Sequence, residues 1–135
     1  MHPEKNSFTK AERLCSKKIF AELFDKANSF YSFPFRVVWV YNSLPISSTS
    51  QIAISVPKRA FKRAVDRNLI KRRIREAFRK NKHDLYNFLE IHNKHIAFVL
   101  IYREATITDY IITEKAVRVM LKKFLTILKE RENKC

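Results

Sequence analysis

The chain has no glycine among its 135 residues. A phosphate-cradling P-loop and the dinucleotide-binding fingerprint both need glycine where backbone closely approaches phosphate, so both are excluded. Cysteine is scarce. Cys15 and Cys135 stand 120 residues apart, which fits a reduced protein better than a disulfide framework. Acidic residues are few: 13 Asp and Glu face 28 Lys and Arg, for a net charge of +15. Self-repulsion of that size disfavours a compact state unless a polyanion or counterions offset it, which argues against a neutral scaffold. Long hydrophobic runs are missing. The longest, Ile96 to Tyr102, is far short of the roughly 20 residues that span a bilayer. Met1-His2-Pro3-Glu4-Lys5 has no apolar segment behind its charges, so no secretory signal is read. No CxxC, HExxH or EF-hand spacing occurs. His92 and His95 are three apart with no third ligand in view. No paired carboxylates, activated Ser or Cys, or cleft-placed base stand out, so no catalytic residue and no metal site is assigned.

Apolar residues are plentiful. Leu, Ile, Val and Phe make up 42 of the 135 residues, enough for one folded domain with a real core. The expected organisation is a loose tail over 1–12, a domain over 13–131 and a short tail over 132–135. A helix is predicted from about Leu14 to Lys26, with Ile19, Phe20, Leu23, Phe24 and Ala27 on its apolar stripe and Ser16 as N-cap. Strands are predicted at 35–42 and 51–56, separated by a Ser-rich loop with Pro45 and ended by Pro57. Asp66 is expected to cap a helix reaching about Lys82. Residues 83–94 read as a polar connection with a short apolar piece. His95 to Tyr102 reads as a buried strand, and Thr113 to Arg131 as a final helix with Val117, Met120, Leu121, Phe124, Leu125 and Leu128 inward. The order of elements implies an α+β sandwich, helices on a sheet, containing a β-α-β unit whose usual hand is right.

The charge is concentrated. Residues 57–82 carry twelve basic and two acidic side chains, a local excess of +10 out of +15. On a wheel of the helix, Ile70, Ile74, Ala77 and Phe78 face the core. Arg67, Asn68, Lys71, Arg72, Arg75 and Arg79 fall on an adjacent arc of about 140°. Most are Arg, whose planar fork takes phosphate oxygens in pairs and stacks on bases. Asn68 can read a base edge or a 2′-hydroxyl. Like charges at i, i+4 oppose a helix, yet Arg67, Lys71, Arg75 and Arg79 form such a series. A solvated face would interleave Glu, whereas a nucleic-acid face would not. Glu76 is expected to pair with Arg72, Arg73 or Lys80.

The run from Ala64 to Arg79 resembles the signature of the protein subunit of bacterial ribonuclease P. Arg67, Asn68, Lys71, Arg72 and Arg75 match its fixed polar spacing. The strand Ile54-Ser55-Val56-Pro57-Lys58-Arg59 and the early Arg13-Leu14, Phe20 and Phe24 fit the same family. The resemblance spans about residues 12 to 128. It implies a two-layer sandwich of helices on a small mixed sheet, of the ribosomal protein S5 domain 2-like kind, with the basic helix in a left-handed β-α-β crossover.

The resemblance also implies a cytoplasmic endoribonuclease holoenzyme in which an RNA subunit, with Mg²⁺, removes the 5′ leader of precursor tRNA. This chain would be an accessory subunit. Arg67, Asn68, Lys71, Arg72 and Arg75 would contact the catalytic RNA. Phe20, Phe24, Trp39, Lys58, Arg59 and Arg103 would hold the leader. The implied partners are ribonuclease P RNA and precursor tRNA, with no membrane and no DNA. The chain departs from the pattern in three places, one of them at Trp39, whose match needs a one-residue insertion. Ala60-Phe61-Lys62-Arg63 stands where the family has an early Gly, and Glu104 stands where it often has a second base.

Read from the residues alone, Phe20 and Phe24, spaced i, i+4 on an amphipathic stripe, favour core packing, and Trp39 is as consistent with core burial as with stacking. A ribosome-associated RNA-binding protein remains an alternative. So does a DNA-binding protein using the basic helix in a major groove, although no heptad zipper or short helix-turn-helix turn is present.

Overall fold

The structure, a computed structural model, describes residues 28–41 and 50–133. Strands β1 (Asn28–Ser32) and β2 (Phe35–Tyr41) form a hairpin across Phe33-Pro34, with Phe30 opposite Val37. Strands β3 (Ser50–Ser55) and β4 (Ile96–Tyr102) complete a four-stranded mixed sheet ordered β1-β2-β4-β3. β4 is antiparallel to β2 and parallel to β3. A parallel pair needs a crossover, and helices α1 (Ala64–Asn81) and α2 (His83–Ile91) supply it. Helix α3 (Tyr110–Asn133) follows β4. The fold is the α+β arrangement expected, helices on a mixed sheet.

The period-two pattern of the strands decides which face meets the helices. Phe35, Val37 and Trp39 of β2 and Ile96, Phe98, Leu100 and Tyr102 of β4 are all buried in the core. Phe98 lies at the centre, its ring 5.9 Å from Phe78 of α1 and 5.3 Å from Phe124 of α3. Phe124 also meets Phe30 and Trp39, at 5.3 and 5.4 Å. Burying one such side chain is worth about 1.5–3 kcal/mol, so this aromatic cluster locks both long helices to the sheet. The expected inward stripe of the final helix holds: Val117, Met120, Leu121, Phe124 and Leu128 are buried, and Leu125 packs beside them. Ile70, Ile74, Ala77 and Phe78 of α1 are buried as expected.

Several boundaries differ from the sequence reading. β1 was not predicted. Its Asn and Ser content hides a strand in which Phe30 packs inward and Ser32 is buried. Residues 83–91 are helix, not a polar connection, with Leu85, Phe88 and Leu89 buried at i, i+3, i+4. α1 starts two residues before Asp66, which sits in its first turn 3.9 Å from Arg63. The N-cap position is Arg63, in extended backbone with no capping side chain. α3 starts three residues before Thr113, because the Asp109 carboxylate accepts the Ile112 N–H at 3.0 Å and caps it. The helix predicted over 14–26 lies outside the described residues, as does most of the Ser-rich loop.

Candidate nucleic-acid interface

Three sides of α1 do three jobs. Its apolar stripe enters the core. A second side faces α3: Arg73 Nη1 donates to the Thr108 carbonyl at 2.5 Å, and Asn81 Nδ2 donates to Glu114 at 3.3 Å. The third side carries Arg67, Asn68, Lys71, Arg72 and Arg75 on one arc, with Asn68 and Arg72 exposed and the other three half-buried. The structure therefore brings all five signature residues together on one helix face.

Within that face Arg67 has a second task. Its Nη1 donates to the carbonyls of Phe61 and Lys62, at 2.8 and 3.0 Å. These bonds fasten the turn between β3 and α1, which the amides of Ala60 and Phe61 close onto the Pro57 carbonyl. Phe61, in the segment that departs from the family pattern, is buried, its ring 6.0 Å from Tyr102.

Glu76 does not pair with Arg72 or Arg73. It bonds Arg79, with Nε–Oε1 at 3.1 Å, and lies 3.9 Å from Lys80. The Arg79 bond holds its carboxyl below the ordinary value of 4.5 against a smaller opposing effect of burial, and the same bond raises the Arg79 guanidinium. Arg73 is drawn to the loop before α3, and Arg72 points to solvent, so neither is placed for Glu76. The consequence is a sorted helix: Glu76 sits beyond the arc and offsets Arg79 at its edge. Lys80 also rests over the Tyr110 ring at 5.5 Å.

The residues expected at the leader divide into three groups. Phe20 and Phe24 lie outside the described residues. Lys58, Arg59 and Arg103 are exposed where the parallel strands β3 and β4 end side by side, in the register Ser55 opposite Ile101. Arg59 and Arg103 line one open cavity of about 280 Å³, and the Arg103 N–H donates to the Pro34 carbonyl at 2.8 Å.

Trp39 is a correction. It is 1% exposed on the helix side of the sheet, edge-on to Tyr41 at 5.3 Å and beneath the Arg131 guanidinium at 5.1 Å. Alternation along β2 puts Trp39 with Phe35 and Val37, so its ring packs the core and offers no face to a base. The same alternation turns Arg36 the other way. It is paired in register with Tyr31, which is 49% exposed. The period of β2 places Arg36 on the far face of the sheet, and its pairing with β1 brings Tyr31 there, two residues the sequence reading leaves unassigned.

The described residues gather no group of three His, Cys, Asp or Glu side chains that could hold a metal ion. None of the described helices is long and apolar enough to cross a membrane.

Comparison with known proteins agrees with the fold. The family model for ribonuclease P matches residues 8–125. The ribonuclease P protein component of Porphyromonas gingivalis is 34% identical over 118 residues, covering 86% of this chain and 85% of its own. That of Petrotoga mobilis is 40% identical over 79 residues, covering 58% and 64%. Among solved structures, the ribonuclease P protein of Thermotoga maritima superposes with a TM-score of 0.62 at 26% identity, over 83% of this chain and 96% of that one. The Staphylococcus aureus protein gives 0.61 at 26% identity, over 89% and 97%.

Proposed function

Because this chain belongs to the family of bacterial ribonuclease P protein components, a family tied to tRNA processing, we propose that it binds the catalytic RNA of the holoenzyme and steadies the 5′ leader of precursor tRNA while that RNA cleaves it. The observation that carries the reading is the sorted face of α1. Arg67, Asn68, Lys71, Arg72 and Arg75 lie together, with the helix's acids outside their arc. Such a face neutralises phosphates through Arg and Lys and adds one polar reader, the combination a structured RNA rewards.

In this reading Lys58, Arg59 and Arg103 hold the backbone of the single-stranded leader at the ends of β3 and β4. Phe20 and Phe24 are assigned to stack on its bases, each stack worth about 1–3 kcal/mol. Mg²⁺ supplies the charge stabilisation that phosphodiester cleavage needs and is assigned to the RNA. The protein's own contribution is positive charge and position, exerted in the cytoplasm.

Titration of the catalytic RNA with wild-type protein and with Lys71→Ala or Arg72→Ala tests the face. Each variant is expected to bind more weakly and to flatten the slope of log affinity against log salt by about 1. Unchanged affinity and slope would remove α1 from the interface.

A further inference from the structure

Two cavities meet at Tyr102 and Glu104. One is the open cavity of Arg59 and Arg103. The other, of about 390 Å³, opens between the β1–β2 turn, the end of β4 and the start of α3, within the roughly 300–1,000 Å³ of pockets that hold small ligands. Its walls carry large apolar groups left in water: Phe33 is 62% exposed, Ile112 55% and Val119 53%. Its polar groups include Glu104, Thr106 and Lys115. The Tyr102 hydroxyl donates to the Thr106 carbonyl at 2.7 Å, which fixes the segment that carries Glu104.

We propose that this second cavity takes one unstacked base of a single-stranded RNA, guanine by preference, with an adjoining phosphate at Arg59 and Arg103. The proposal rests on the reading of those two arginines as RNA contacts. Its first support is charge: a chain of net +15 with Lys115 at the cavity favours a polyanion over a neutral metabolite. Its second is shape: an exposed Phe33 ring beside apolar walls is the platform a splayed base needs.

Its third support is hydrogen-bond chemistry. An ionised carboxylate only accepts. The Watson–Crick edge of guanine presents N1–H and the N2 amino group side by side, so the Glu104 carboxylate can take both. Adenine and cytosine each present one amino group beside a bare ring nitrogen, and uracil one N–H between two carbonyls. Each of these would set an acceptor against the carboxylate. The Tyr102 phenol, protonated at neutral pH as any ordinary tyrosine is, donates to the Thr106 carbonyl.

Anisotropy titrations of the full-length protein at low salt test this with ten-nucleotide strands: all-uridine, and the same strand with one guanosine or one adenosine walked along it. The best-placed guanosine is expected to tighten binding about tenfold over all-uridine, and adenosine much less. Glu104→Gln should abolish the guanosine preference and leave all-uridine binding as tight or tighter. Phe33→Ala should shrink the preference without unfolding the chain, since its ring is mostly in solvent. Equal affinity for every strand, or a preference that survives Glu104→Gln, would overturn the pocket while leaving the arginines in place. Failure of wild type to bind any strand would overturn both the pocket and the reading beneath it.

Discussion

The Glu76 carboxylate is bound to Arg79 three residues on, at the edge of the basic arc rather than within it. The bond to Arg79 lowers its pKa, so the pair contributes stability above the ordinary value of 4.5 and loses it as the pH falls through the lowered folded value. Because the pair is solvent-facing, its removal costs little. Glu76→Gln is expected to lower Tm by about 1–2 °C at pH 7. Thermal melts of the two proteins should converge once the pH is below the carboxylate range. A gap that persists there would mean that Glu76 acts through packing. Trp39 gives the contrasting case. A ring with 1% exposure between Phe124 and the sheet is a packing residue. Trp39→Ala is expected to destabilise the fold by about 3–5 kcal/mol in denaturant titrations. It should impair leader-bearing and leader-free substrates alike. Selective loss with leader-bearing substrates would return Trp39 to the interface.

Elements with strong period and strong composition were legible in the sequence. α1 and α3 have regular apolar stripes, and β4 is a continuous apolar run, so their faces were read correctly even where their ends were not. β1 and α2 were not legible for opposite reasons. β1 owes its existence to pairing with β2, since Asn28, Ser29 and Ser32 give little strand propensity of their own. α2 has the right spacing at Leu85, Phe88 and Leu89, but only nine residues and no capping side chain, so its helicity comes from burial against the core. Leu89 is fully buried. Leu89→Ala is therefore expected to cost about 2–5 kcal/mol, measured by denaturant titration. A cost below 1 kcal/mol would mean that α2 docks loosely. The candidate site shows the same split. The signature face of α1 is readable because helix period fixes direction, whereas the burial of Trp39 follows from the period of β2, which sets it beside Phe35 and Val37 whatever its place in the family pattern.

At the scale of the whole molecule, most of the charge excess falls in 26 residues between the end of β3 and the start of α2. The core beneath is almost wholly apolar, with Phe98 linking the sheet to both long helices. The fold thus sets a cationic helix beside two exposed arginines at the ends of a parallel strand pair. In the function proposed above, such a fold would contribute position and counter-charge while the RNA performs the reaction. Its effect should be largest where divalent cations are too dilute to screen RNA–RNA repulsion. Cleavage of precursor tRNA by ribonuclease P RNA from the same organism, at low Mg²⁺ with and without this protein, tests that claim most directly. The account predicts strong rescue by the wild-type chain and weak rescue by a Lys71→Ala, Arg72→Ala double variant that folds normally. No rescue, with tight binding to the RNA intact, would contradict it and favour a ribosome-associated role.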